Sequence, residues 1–177
     1  NVVFDENPEV KLLVWIGARN QNHCIQQEIA RVASKDKRVS LLVKNQPWKS
    51  EDHWEGIVEH VLAGGIDKKR LILCDRGFAP NGHNPNNYRN IPDYEMSMRV
   101  KQKYNLPMVF DPSHTAGSVE NVFKIIEEAA DHNFNGIIIE VHPDPKNALT
   151  DKKQQVTWEE FDILSKTVER MINPVSP

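Results

Sequence analysis

The chain has 177 residues, of which 39% are hydrophobic and 27% charged, and its formal net charge is −3. A chain of this length can bury a sizeable core, and we expect a single domain over residues 1–177. The small net charge gives no electrostatic reason to expect a nucleic-acid partner. No run of about 18 apolar residues is present, so neither a transmembrane helix nor a membrane partner is expected.

The two cysteines, Cys24 and Cys74, lie far apart and lack the spacing of a metal or redox motif. We expect two free, buried thiols, which are typical of a reducing compartment and indicate the cytoplasm. No charged-then-apolar signal segment opens the chain. Its first residues, Asn1–Phe4, lack a Met, and we expect them to be the interior of a longer polypeptide.

Five short apolar runs organise the sequence, and each is followed by a polar segment and then by a helical pattern. A continuous apolar run bounded by polar residues is typical of a strand buried on both faces of a parallel sheet. The predicted strands are Lys11–Ile16, Val39–Val43, Arg70–Cys74, Leu106–Phe110 and Gly136–Ile139. The predicted helices are Cys24–Ala33, 51–63, Tyr94–Tyr104, Val119–His132 and Trp158–Ile172. Repeated strand–helix units predict an α/β fold with right-handed crossovers and a parallel sheet.

A candidate functional side chain follows each predicted strand: Arg19, Lys44, Arg76, His114 and Glu140. In parallel sheets of this kind the chemistry lies at the carboxyl ends of the strands, which open on one face. The residues at the first three strand ends are cations, and those at the last two are an imidazole and a carboxylate. We therefore expect the five side chains to converge on one mouth of the sheet.

Arg19, Lys44 and Arg76 are predicted to form an anion clamp. Cations held close together are costly unless an anion lies between them. Arginine binds phosphate or carboxylate through its two-pronged guanidinium, and lysine adds a compact charge. The implied ligand carries at least two negative charges, as a phosphorylated carboxylic acid does. The alternative is that each cation pairs with a nearby acid, for instance Arg76 with Asp75.

His114, Glu140 and Asp151 are candidate ligands of one divalent cation that keeps open coordination positions. One imidazole nitrogen with carboxylate oxygens suits Mn, Fe, Co or Zn. Such a cation would polarise a carbonyl or orient an aldehyde. His142 lies two residues after Glu140 and shares its side of an extended chain, so it is a competing ligand or a residue that supports the ligands.

Five ordered segments stand out: WIGAR (Trp15–Arg19), LVKN (Leu42–Asn45), CDRGF (Cys74–Phe78), DPSH (Asp111–His114) and EVHP with ALTD (within Glu140–Asp151). In this order they resemble the 3-deoxy-7-phosphoheptulonate (DAHP) synthases, the first enzymes of the shikimate pathway. The likeness is strongest to the subgroup often fused to chorismate mutase and covers the chain from about Leu12 to Ile172. The resemblance implies a (β/α)₈ TIM barrel in aromatic amino acid biosynthesis, which condenses phosphoenolpyruvate with erythrose 4-phosphate.

By matching position, the resemblance implies that Arg19, Lys44 and Arg76 bind phosphoenolpyruvate, and that His114, Glu140 and Asp151 bind the metal. It further implies that the enol carbon of phosphoenolpyruvate attacks the sugar aldehyde, that water adds at its second carbon, and that phosphate leaves. The cations would neutralise the trianion and the departing phosphate. Lys44, as a candidate proton donor, and His114 are the predicted catalytic residues.

Two other functions remain open. One is a non-catalytic or regulatory module that binds phosphoenolpyruvate. The other is the sister 3-deoxy-manno-octulosonate-8-phosphate synthase, which typically has Asp-Ala-Thr-His where this chain has Asp111-Pro112-Ser113-His114.

The chain departs from the family in length. A closed barrel needs eight strands and typically about 250 residues, whereas the five predicted strands correspond to the last five of the family barrel. The family's Ala-Gly-Pro-Cys metal segment and Lys-Pro-Arg-Thr substrate segment have no match, and neither Cys24 nor Cys74 replaces the missing ligand. Open sheet edges predict that the missing strands come from a longer polypeptide, which we favour, from a second chain, or from self-association into a homo-oligomer. A stand-alone five-stranded sheet without catalysis is the remaining alternative.

Overall fold

The computed structural model describes residues 4 and 6–172, and Asn1–Val3 lie outside the described residues. A five-stranded parallel sheet forms its centre. The strands are β1 (Leu12–Ile16), β2 (Val39–Lys44), β3 (Leu71–Asp75), β4 (Met108–Phe110) and β5 (Gly136–Ile137). Their spatial order, β1-β2-β3-β4-β5, is the order along the chain. This confirms the predicted α/β fold, and an order without reversal is that of consecutive barrel strands rather than of a doubly wound sheet.

The connections between strands are helical. The helices are α1 (His23–Ser34), α2 (Glu51–Ala63), α3 (Tyr94–Tyr104), α4 (Pro112–Ala116), α5 (Val119–Ala129) and α6 (Trp158–Ile172). Short 3₁₀ turns lie at Lys68–Arg70 and Pro145–Asn147. Side-chain oxygens accept backbone hydrogen bonds at the starts of α1 to α5, at Asn22, Ser50, Asp93, Asp111 and Ser118. In the described part of the chain, no helix is long and apolar enough to cross a membrane.

The hydrophobic core lies between the sheet and its helices. Leu41, Val43 and Leu73 from the strands are fully buried, as are Trp54 and Ile125 from the helices. Burying one large apolar side chain contributes roughly 1.5–3 kcal/mol, so this layer fixes the strands whose ends carry the candidate site.

Several expectations differ from the structure in detail. Helix α5 ends at Ala129 rather than at His132, and β5 ends at Ile137 rather than at Ile139. Ile138 N still donates to Phe110 O of β4 over 2.9 Å, but from Glu140 onward the backbone pairs with a later segment, since Val156 N donates to Glu140 O over 3.0 Å. Cys74 is a buried free thiol, but the prediction of a buried Cys24 is wrong, since that thiol is free and exposed.

Strand β1 forms the edge of the sheet and exposes apolar side chains on both faces. Leu13, Val14 and Trp15 are 44%, 39% and 54% exposed. Val14 also lines a cavity of about 620 Å³ whose walls are mainly apolar and include Ile25 and Val32 of α1. A strand with two apolar faces is normally covered on both, so the edge has the surface of an interior strand.

Candidate functional site

A cavity of about 630 Å³ opens at the carboxyl ends of the strands. Its lining includes every residue predicted for the site: Arg19, Lys44, Arg76, His114, Glu140 and Asp151. Trp15, Arg89 and Asn90 also line the cavity, whereas His142 is not among its lining residues. The expected convergence is therefore observed, while the role of each residue stays a prediction.

Arg76 is a buried cation without a carboxylate partner in the described part of the chain. It is 8% exposed, and its Nη1 donates to the amide oxygen of Asn90 over 3.3 Å. The alternative pairing with Asp75 is not observed, because that carboxylate accepts from Gly77 N and Ser97 Oγ. Burial lowers the pKa of Arg76, and the negative charge of Asp111 opposes this effect. Guanidinium remains charged in proteins, so this buried cation calls for an anion in the cavity.

Arg19 reaches the same cavity from the edge of the sheet. It follows β1 and is exposed. Arg19 takes part in no hydrogen bond or ion pair with the described residues, so its guanidinium is available to a ligand.

Asn45 and Gly77 set the turn from which Arg76 projects. Asn45 is fully buried, and its Oδ1 accepts from Arg76 N over 2.8 Å while its Nδ2 donates to Gly77 O over 2.9 Å. Gly77 has φ +71°, and a Cβ there would lie 2.9 Å from the Cβ of Asn90. Only glycine therefore fits without displacing the segment that holds the guanidinium.

Lys44 and His114 are joined by a buried carboxylate to which the sequence reasoning gave no role. Lys44 Nζ donates to Asp111 Oδ2 over 2.6 Å, and His114 Nδ1 lies 2.9 Å from the same oxygen. Asp111 is 1% exposed and also caps α4 by accepting from His114 N. Burial raises the pKa of this carboxyl, but the hydrogen bond with His114 and the charge of Lys44 outweigh burial and hold it below the ordinary value. The carboxylate is therefore ionised at neutral pH.

The other two predicted metal ligands are held by Gln154 and Arg89. Glu140 Oε2 accepts from Gln154 Nε2 over 2.9 Å, and Asp151 Oδ1 accepts from Arg89 Nη1 over 2.7 Å. Arg89 Nη1 also donates to Gln154 Oε1 over 2.6 Å, which links the two pairs. Gln154 is 2% exposed, so its amide is committed to this network.

His114 and Glu140 fit a shared divalent cation better than Asp151 does. His114 Nε2 lies 3.6 Å from Glu140 Oε1, so a nitrogen and an oxygen donor face each other. Asp151 lines the same cavity but pairs with Arg89. Among the described residues, no three His, Cys, Asp or Glu side chains are arranged to hold a metal ion. The donor types suit Mn, Fe, Co or Zn. Asp151 would become a ligand beside His114 and Glu140 if its carboxylate left Arg89.

Comparison with known proteins identifies the family. Residues 5–174 match the family model described as the DAHP synthetase I family. The chain belongs to this family. A phospho-2-dehydro-3-deoxyheptonate aldolase of Thermotoga maritima is 30% identical over 160 residues, which are 90% of this chain and 44% of that protein. A 2-dehydro-3-deoxyphosphooctonate aldolase of Geobacter sulfurreducens is 26% identical over 82% of this chain and 54% of its own length.

Solved structures of DAHP synthases share the fold. A crystal structure of the Thermotoga maritima enzyme superposes with a TM-score of 0.78 at 26% identity, covering 90% of this chain and 44% of the other. A truncated form of the Thermotoga synthase gives a TM-score of 0.78 at 27% identity, covering 57% of that chain. The present chain thus spans about half the length of the relatives it matches. This agrees with the sheet order and confirms the predicted partial barrel.

Proposed function

We propose that this chain is the catalytic, carboxyl-terminal part of a DAHP synthase, which condenses phosphoenolpyruvate with erythrose 4-phosphate in aromatic amino acid biosynthesis. Buried Arg76, which no described carboxylate neutralises, is the observation that carries this proposal. It shares its cavity with Lys44 and Arg19. A small trianion such as phosphoenolpyruvate supplies the missing negative charge.

Each predicted residue then has a role in the reaction. Arg19, Lys44 and Arg76 bind phosphoenolpyruvate and neutralise the phosphate as it departs. His114, Glu140 and Asp151 hold a divalent metal, which supplies a Lewis acid for the sugar aldehyde when bound. Lys44 lines the cavity and is the candidate proton donor to the aldehyde oxygen when the new carbon–carbon bond forms.

Calorimetric titration of the purified chain with phosphoenolpyruvate at fixed, low salt tests the clamp. We expect Arg76→Ala to weaken binding about 10- to 100-fold, the equivalent of a charge-assisted hydrogen bond worth roughly 1.5–3 kcal/mol. Arg99→Ala is the matched control, because Arg99 is exposed, pairs with Glu51 over 2.6 Å and does not line the cavity. No binding by the unmodified chain, or equal binding by Arg76→Ala, would refute the proposal.

The likeness to octulosonate aldolases supports a second candidate, the 3-deoxy-manno-octulosonate-8-phosphate synthase. The two reactions differ in the aldehyde, so turnover with arabinose 5-phosphate but not erythrose 4-phosphate would select the second. A third outcome is that the chain, with all barrel strands present, binds phosphoenolpyruvate but turns over neither aldehyde. That outcome would select a non-catalytic module.

The exposed apolar edge at β1 supports a further part of the proposal, namely that additional barrel strands pair with it. We favour strands from a longer polypeptide and keep a second chain or a homo-oligomer as alternatives. The free thiols of Cys24 and Cys74 support a cytoplasmic location. An intact mass of the native protein tests whether the additional strands belong to the same polypeptide, because a mass of 20.3 kDa would exclude a longer one.

A further inference from the structure

Asp111 lies between the two halves of the candidate site and touches both. Its Oδ2 is 2.6 Å from Lys44 Nζ in the clamp and 2.9 Å from His114 Nδ1 beside Glu140. Lys44 is 8% exposed and Asp111 only 1% exposed, so water screens the pair little. Within the described residues, Asp111 is the one carboxylate that bridges a clamp cation and a predicted metal ligand.

The contact with Asp111 determines which nitrogen of His114 is free. An ionised carboxylate only accepts hydrogen bonds, so neutral His114 places its hydrogen on Nδ1. The lone pair then lies on Nε2, the atom 3.6 Å from Glu140 Oε1. A carboxylate behind a histidine fixes the ring and raises its basicity as a metal ligand.

The contact with Lys44 has a different effect. When no anion is bound, Asp111 neutralises the buried ammonium group of Lys44. An incoming anion must therefore compete with Asp111 for the positive charge of Lys44. The carboxylate therefore favours the metal half of the site and opposes the anion half.

We propose that Asp111 is a positioning residue that orients His114 for a divalent cation and tempers the affinity of Lys44 for the phosphorylated acid. This inference rests on the proposed function and assigns a role to a residue that does not itself line the cavity. It implies that metal and anion affinities respond in opposite directions when the carboxylate is lost.

The test is Asp111→Asn in the full chain, titrated separately with Co²⁺ and with phosphoenolpyruvate. Asparagine is as good an N-cap as aspartate, so α4 keeps its start. We expect Co²⁺ affinity to fall about 10- to 100-fold, while phosphoenolpyruvate affinity stays the same or rises. Lys44→Met should give the reciprocal result, in which phosphoenolpyruvate affinity falls at least about tenfold and Co²⁺ affinity does not fall.

Asp93→Asn is the matched control. Asp93 also caps a helix, α3, and pairs with Lys49 over 2.6 Å, but it does not line the cavity. It should leave both affinities unchanged. If Asp111→Asn alters neither affinity, or lowers both together, Asp111 is only a structural cap and the inference is overturned.

A second measurement needs no variant of Asp111. Long-range ¹H–¹⁵N spectra of the unmodified chain at neutral pH report the tautomer of His114, with the signal assigned by its loss in His114→Gln. We expect the Nδ1–H form, and the Nε2–H form would overturn the inference. If the unmodified chain binds neither Co²⁺ nor phosphoenolpyruvate, the proposed function itself fails, which is a different result from binding that ignores Asp111.

Discussion

Replacing Asp75 by asparagine should stabilise the protein at neutral pH. Asp75 ends β3 and is fully buried. Burial raises its pKa to about 6, only partly offset by hydrogen bonds from Gly77 N and Ser97 Oγ, and the charges of Asp93 and Asp111 raise it further. The ordinary pKa of an aspartate is 3.8. At roughly 1.4 kcal/mol per pKa unit, the raised pKa means that ionised Asp75 lowers the free energy of unfolding by about 3 kcal/mol.

Stability should fall with rising pH, because the folded state binds the proton of Asp75 more tightly than the unfolded state does. A carboxyl whose pKa is raised in the folded state is protonated in both states below about 3.8, where the full stability is present. Stability is lost as pH rises through about 6, because folding then buries a charge. Asparagine carries no charge, its oxygen can accept from Gly77 N, and the Ser97 hydroxyl can rotate to accept from its amide. Asp75→Asn should therefore be up to about 3 kcal/mol more stable than the unmodified chain at pH 7 and equally stable near pH 4.

Urea denaturation between pH 4 and 7.5, followed by tryptophan fluorescence, measures this difference. Asp52→Asn is the control, because it also replaces a carboxylate by an amide, but at an exposed position in the first turn of α2 rather than in the core. If the free energy of unfolding of Asp75→Asn changed with pH in parallel with that of the unmodified chain, the reasoning would be refuted. A variant that is less stable than the unmodified chain at pH 7 would also refute it.

Three other predictions concern separate features. Glu140→Ala should abolish Co²⁺ uptake, measured by elemental analysis after dialysis, and unchanged metal content would show that Glu140 is not a ligand. Gly77→Ala should destabilise the fold by about 1–3 kcal/mol and weaken phosphoenolpyruvate binding, because φ +71° and the 2.9 Å approach to Asn90 leave no room for a methyl group. Burial and the nearby charge of His23 lower the pKa of His53 below 6.5, so its contribution to stability is present above pH 6.5 and lost as pH falls below it. Denaturation at pH 7.5 and 5.5 should then show a smaller pH dependence for His53→Asn than for the unmodified chain.

Strands β2 and β3 were predictable because most of their side chains are buried, so each appears in the sequence as one apolar run. The predicted run Val39–Val43 became β2, and Arg70–Cys74 became β3, each within one residue. Helix α4 was not predicted, because five residues are too few for a helical pattern to show. Its signals were an aspartate cap at Asp111 and a proline in the first turn at Pro112.

The convergence of the strand-end side chains on one cavity was predictable, but the contacts that hold these side chains were not. The rule that strand ends share one face is a property of the sheet, and it placed Arg19, Lys44 and Arg76 in one cavity without knowledge of their neighbours. Gln154 and Arg89 are separated by 65 residues, and their contact depends on how two loops fold over the sheet. Sequence patterns of period two or 3.6 carry no information about such pairs.

The exposed edge and the candidate site are connected through β1. Lys44 ends β2 and Arg76 follows β3; both strands have neighbours on both sides, and both side chains are buried. Arg19 follows the edge strand, and it is exposed beside the half-exposed Trp15. The strength of a charge–anion contact rises as water is excluded, so Arg19 would be the weakest member of the proposed anion clamp in this arrangement. Strands that pair with β1 would cover Leu13 and Trp15 and, at the same time, exclude water from the surroundings of Arg19. In the proposed complete barrel, the strands that cover β1 would therefore also strengthen the contact between Arg19 and a bound anion.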